Sequence, residues 1–114
     1  MASVPEIPTP ERGDIFWLDF DPQAGHEQGG RRPALILSPS SYNRKVGLAP
    51  LCPITNQIKG YPFEVAIPDG LAVRGVVLSD HLKSLDWEAR RPAFLTPLPN
   101  ERNGTSTRYC ALAS

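Results

Sequence analysis

Residues 27–33, EQGGRRP, crowd an acid, two glycines and two guanidinium groups into one short stretch. Glu27 and Arg32 are the pair whose types and spacing bear on chemistry. A carboxylate can take up a proton, and five positions later a planar, always charged fork of donors matches a phosphate. Cleaving RNA through its own 2′-hydroxyl needs a base for the 2′-OH proton. It also needs an acid or cation at the leaving 5′-oxygen, and donors to the non-bridging oxygens. That route calls for no metal. Thr55, at an expected strand–loop junction, supplies one more donor. Gly25, Gly29 and Gly30 let the backbone approach a ligand closely. A connection over residues 21–31 is also far longer than a hairpin requires. The competing reading is a solvated hairpin loop with incidental charge, since charged loops are common.

Other residues fall into place around this pair. His26 adjoins Glu27 and is a second proton carrier. Tyr61, beside Lys59 and two turn residues, is the candidate platform for base stacking. Trp17 is expected in the core, because buried aromatics dominate small cores. His81 follows Asp80, but neighbours on a strand face opposite ways, so His81 reads as a polar groove wall rather than a catalyst. The full set expected to contact RNA is His26, Gln28, Arg31, Asn43, Lys59, Tyr61, His81 and Lys83. Cys52 reads as a small apolar core residue.

What must position these groups is one small domain. The chain has 114 residues, 40% of them hydrophobic, enough for a single core and too little for two. Its 12 basic and 12 acidic residues cancel, which excludes a general polyanion binder. Any nucleic-acid site must come from local clustering, and Arg31-Arg32, Arg44-Lys45 and Arg90-Arg91 are the adjacent basic pairs. Two cysteines, Cys52 and Cys110, make neither a disulfide framework nor a metal set, so no cofactor is expected. The N-terminus lacks a signal-peptide pattern and no stretch reaches transmembrane length, so a cytoplasmic location is expected.

Thirteen prolines and nine glycines leave little room for long helices and favour short strands. Residues 1–12 read as an extended arm and 13–114 as the domain. Residues 13–20, GDIFWLDF, are a strand buried on most of both sides, with Ile15, Trp17 and Asp19 on one face and Phe16, Leu18 and Phe20 on the other. Residues 32–38 form its natural partner. Residues 39–45 suit one helical turn, with Ser38 as N-cap and Pro39 at the first position. Residues 48–55 carry Pro50 and Pro53 and therefore read as a bulged or edge strand. Strands follow at 63–67 and 75–78; residues 82–85 extend the latter or form a short turn. Residues 91–114 read as an irregular tail with at most one added strand, its weak strand character lying at 105–112. The fold class is mainly β, a small, partly open barrel with function on one rim.

The segments GDIFWLDFDPQAGHEQGGRRPALILSP, Tyr42-Asn43, PITNQIKGYPFEV and GVVLSDHLKSLDW together resemble the MazF/PemK family of toxin endoribonucleases, over residues 13–87. The resemblance implies an SH3-like barrel of the CcdB/MazF type, working as a homodimer. It implies metal-independent cleavage of single-stranded RNA at a short sequence, leaving 2′,3′-cyclic phosphate and 5′-hydroxyl ends. It further implies an antitoxin whose acidic, partly disordered tail lies over the RNA groove. In the family pattern Glu27 takes the general base's place, Arg32 the general acid's, and Thr55 helps hold the scissile phosphate. Because guanidinium groups stay charged, stabilising charge on the leaving oxygen is the better physical description of the arginine's part. His81 stands where the family usually has glutamine. The proline-rich segment after Arg91 departs from the amphipathic helix with which family members close. An alternative within the same fold is a CcdB-type module that binds antitoxin or poisons DNA gyrase by protein contact, or an inactive toxin form.

Overall fold

Alternation in the first strand organises the whole molecule. The computed structural model describes residues 8–20 and 30–98. Strand β1 (Asp14–Asp19) sends Ile15 into one apolar layer with Leu35, Cys52, Ile54, Val65 and Val77. Phe16 and Leu18, with Phe20 just beyond the strand, enter a second layer with Ala34, Ile36, Leu51 and Trp87. Side chains of a strand alternate between its faces, so one sheet carries a core on each side. Burial of β1 on both faces is as the sequence predicts.

Strand β1 pairs antiparallel with β2 (Arg31–Ile36), and β2 with β3 (Ala49–Thr55). Past the short helix α1 (Ser40–Val46), β3 also pairs with β5 (Val76–Leu78), which pairs with β4 (Glu64–Ala66). The first half of β3 takes β6 (Lys83–Leu85), and the outer edge of β1 takes β7 (Ala93–Pro97). The order β4-β5-β3-β2-β1-β7 leaves β4 and β7 at its two ends, so among the described residues the sheet is open rather than closed.

The structure corrects some of these expectations. Strand β3 is central, with partners on both edges. Its Pro53 falls where the ladder to β6 has ended at Leu51 and that to β5 has not begun at Ile54, so its missing N–H removes no ladder bond on that edge. Ser38 does not cap α1; its hydroxyl donates to Asn43 Oδ1 instead. The carboxylate of Glu11 takes over, accepting from Ser40 N at 2.9 Å and Ser40 Oγ at 3.0 Å. Backbone N–H groups of Ser40 and Arg12 hold that carboxyl below its usual value. At the end of the arm Pro10 is buried, and Glu11 is tied to α1. Among the described residues, the segment after Arg91 carries one strand, β7, within the one added strand expected of it; the weak strand character expected at 105–112 lies outside them, together with 1–7 and Cys110. Residues 79–81 form a 3₁₀ turn between β5 and β6, so Asp80 and His81 do not sit on a strand.

Candidate active site

Arg32 and Thr55 come together because β2 and β3 are antiparallel neighbours. The register Ala34–Pro53 sets the start of β2 beside the end of β3. Both side chains line one cavity of about 320 Å³, with Trp17, Arg31, Pro33, Ile54, Asn56 and Arg74 among its other walls. Thr55 is 7% exposed, and its Oγ1 accepts from Gln57 N at 3.1 Å. That bond fixes the hydroxyl oxygen and leaves its hydrogen to donate toward the cavity. Gly75 closes on the same residue: with φ at 122°, a Cβ there would meet the Thr55 carbonyl oxygen at 2.1 Å. Only glycine fits so near, so Gly75 keeps β5 and Thr55 in close contact.

The connection that carries Glu27 is anchored at both ends. Phe20 N donates to Gly30 O at 2.8 Å, and Asp19 stands opposite Arg31 in the β1–β2 ladder. The Asp19 carboxylate accepts from Arg91 Nε at 2.6 Å and Nη2 at 3.0 Å, and from Arg31 Nη1 at 3.1 Å. Arg90 Nη1 donates to the Asp19 backbone carbonyl at 3.0 Å. Hydrogen bonding to Arg91 chiefly, with Arg31 behind it, lowers the Asp19 pKa from its ordinary 3.8. Arg91 reaches this position from a left-handed backbone conformation, φ 48°. Glu27, His26 and Gln28 lie outside the described residues.

A second cavity of about 150 Å³ shares only Thr55 with the first and is otherwise lined by Gln57, Lys59, Tyr61, Phe63, Glu64, Leu78 and His81. Tyr61 stacks on Phe63, with ring centroids 5.2 Å apart and planes 20° from parallel. With Tyr61 51% exposed, the pair offers a π-surface to an incoming ring. Glu64 shapes the approach by accepting from Lys59 N at 3.1 Å and Gly60 N at 2.9 Å. His81 Nε2 lies 3.7 Å from Asp80 Oδ1, too far for a hydrogen bond, and its Nδ1 is buried with no protein partner among the described residues.

The expected residues therefore divide. Arg31, Arg32 and Thr55 share the first cavity; Lys59, Tyr61 and His81 share the second with Thr55. Lys83 lines neither. Asn43 is corrected outright: it is 0% exposed, and its amide donates to Pro10 O at 2.8 Å and Ser38 O at 2.9 Å. Its backbone carbonyl accepts from Trp87 Nε1 at 3.2 Å. With every polar group spent inside the protein, Asn43 has nothing to offer RNA. Trp17 is also corrected, since it is a half-buried cavity wall rather than core. Sequence reasoning missed Arg74, Asn56, Phe63 and Glu64. Phe63 and Glu64 sit in the KGYPFEV segment already singled out, whereas nothing local marks Arg74. Cys52 is core as expected, and burial foremost, then the Asp80 charge, pushes its thiol up to about 12.

Known proteins resemble this chain in sequence and in fold. Residues 11–104 match the model of the PemK-like, MazF-like toxin of type II toxin–antitoxin systems. The endoribonuclease toxin MazF of Escherichia coli K12 is 52% identical over 81 residues, covering 71% of this chain and 72% of that protein. The E. coli endoribonuclease PemK is 39% identical over 94 residues, covering 78% and 70%. The crystal structure of MazF from Deinococcus radiodurans superposes with a TM-score of 0.82 at 50% identity, covering 92% of this chain and 96% of that one. A MazE–MazF structure from the same organism gives 0.75 at 51% identity, covering 93% and 89%. The match runs past Trp87 and into the proline-rich segment after Arg91. The chain belongs to the PemK-like, MazF-like family of type II toxin–antitoxin toxins.

Proposed function

We propose that the protein is a sequence-specific endoribonuclease toxin that cuts single-stranded RNA by metal-independent transesterification. The observation that carries the reading is the meeting of Arg32 and Thr55 in one cavity, at the end of the sheet where the Glu27 connection returns to β2. Glu27 takes the 2′-OH proton, and the freed oxygen attacks phosphorus. As the bond to the 5′-oxygen breaks, Arg32 neutralises the charge on that leaving group. Thr55 donates to a non-bridging oxygen. The products are a 2′,3′-cyclic phosphate and a 5′-hydroxyl end. The Tyr61–Phe63 pair, Lys59 and His81 hold a flanking base, with Arg31 beside the scissile phosphate.

The toxin acts in the cytoplasm as a homodimer and is silenced by a cognate antitoxin whose acidic tail covers this arginine-lined groove. A MazE–MazF assembly of a similar protein supports that partner. Among the described residues no helix is long and apolar enough to cross a membrane.

The test is incubation of purified protein with mixed-sequence RNA in EDTA, followed by mapping of 5′-hydroxyl ends. Cleavage at one short sequence is expected, and Arg32→Ala is expected to abolish it while dimer formation and antitoxin binding persist. Full cleavage by that variant sinks the assignment. Strict dependence on added magnesium sinks the metal-free route.

A further inference from the structure

The proposed cleavage leaves one cation of the larger cavity without a task. Arg74 stands on its rim, exposed, with no hydrogen-bond or ion-pair partner among the described residues. Arg31, by contrast, is held by Asp19. No acidic side chain lines this cavity among the described residues, so the field there favours an anion. The position of Arg74 is also enforced. Its neighbour Gly75 is pressed against the Thr55 carbonyl, Gly75 O accepts from Ile67 N at 3.0 Å, and Val76 is registered opposite Thr55.

Thr55 is the one wall common to two unlike chambers. One holds the stacked Tyr61–Phe63 rings with Lys59 and His81. The other holds the half-buried Trp17 ring, the apolar Val73 and Leu95, and Arg74. An aromatic face and a cation on each side of a phosphate donor is what two consecutive nucleotides of a single strand require. At about 320 Å³ the larger chamber reaches the lower end of the size range of small-ligand sites.

We infer that this chamber is a second nucleotide subsite, in which Arg74 binds the outer phosphate of the nucleotide lying across the scissile phosphate from Tyr61, and Trp17 faces its base. The inference rests on the cleavage reading for the identity of its ligand. An exposed arginine with no partner among the described residues has no structural duty there to lose, so Arg74→Ala should fold as the parent does.

The experiment compares parent and Arg74→Ala on a cleavable RNA oligonucleotide. It repeats the comparison on oligonucleotides shortened from either end by one phosphate at a time. The expected result is a KM raised about tenfold with kcat within twofold, and a salt slope reduced by about 0.7, the value of one single-strand phosphate contact. The deficit should vanish on the shortened substrates, from one end only, that lack the contacted phosphate. Unchanged KM and salt slope overturn the subsite, as does a deficit that persists undiminished on every shortened substrate. Binding of the same set made uncleavable by a 2′-deoxy substitution is measured alongside. An RNA-inactive parent defeats the cleavage reading, while the binding series still decides whether Arg74 holds that phosphate.

Discussion

Asn43 and Thr55 are both buried polar side chains, and they lie near opposite ends of β3. Asn43 sits in a closed knot with Ser38, Pro10 and Trp87, where each of its polar groups has a protein partner. Thr55 accepts one hydrogen bond from Gln57 N and keeps a hydrogen to give, at the junction of two cavities. The difference is one of unspent hydrogen-bonding capacity. A buried polar group that is fully satisfied stabilises the fold, and one that is half satisfied and faces a cavity is available to a ligand.

The largest effect that tests this contrast falls on Thr55. Thr55→Ala removes a donor aimed at the phosphate, so cleavage should fall about 10²- to 10³-fold. Stability should change by no more than about 1 kcal/mol, the worth of the single bond from Gln57. Single-turnover cleavage and thermal melting together read both quantities. A variant that melts much earlier yet cuts normally per folded molecule would place Thr55 in the same class as Asn43.

Asn43→Ala should show the reverse pattern. It strands the carbonyls of Pro10 and Ser38 and the Ser38 hydroxyl, at about 1–3 kcal/mol for each buried group left without a partner. A melting temperature lower by roughly 10 °C or more follows for a domain of this size. At a temperature where the variant is still folded, its RNA cleavage should match the parent's. A selective loss of KM or of sequence preference, with melting unchanged, would return Asn43 to the RNA-contacting set.

How far the sequence discloses these roles depends on whether the deciding contact is local. Alternation in DIFWLD gives β1 and both of its buried faces, because strand periodicity is a property of consecutive residues. The KGYPFEV segment holds its own aromatic pair and its own Glu64 brace, so Tyr61 and Lys59 are readable as a unit. Asn43 and Thr55 cannot be told apart in this way. The partners of Asn43 include Pro10 and Trp87, from opposite ends of the described chain. Trp17 misleads for a related reason, since it stands opposite Pro33 near the start of β2, where its face of β1 lines the cavity rather than the core. Arg74 follows a turn with no motif of its own, and what aims it is Gly75 against the Thr55 backbone. The central place of β3 is hidden by its prolines, which suggest an edge until the handover from β6 to β5 is seen.

The smallest effect concerns the anchor of the Glu27 connection, a third kind of polar site, neither buried knot nor open donor. Asp19 binds Arg91 and Arg31 at the surface, where screening by solvent keeps the contribution modest. Its folded pKa lies below the ordinary 3.8, so the contribution is fully present above that value and is lost as pH falls through the folded one. Parent and Asp19→Asn should therefore differ in melting temperature by a constant amount from pH 8 down to about pH 5. The gap should then close below about pH 4, where the carboxylate starts to protonate in the unfolded chain. A gap that stays constant down to the acid limit of folding would show that the two arginines do not depend on the Asp19 charge. The clamp would then be a matter of hydrogen-bond geometry that asparagine can also satisfy. Cleavage measured at neutral pH adds the functional half. If the clamp sets where the Glu27 connection leaves and rejoins the sheet, Asp19→Asn lowers kcat more than it raises KM, since orientation rather than binding is disturbed.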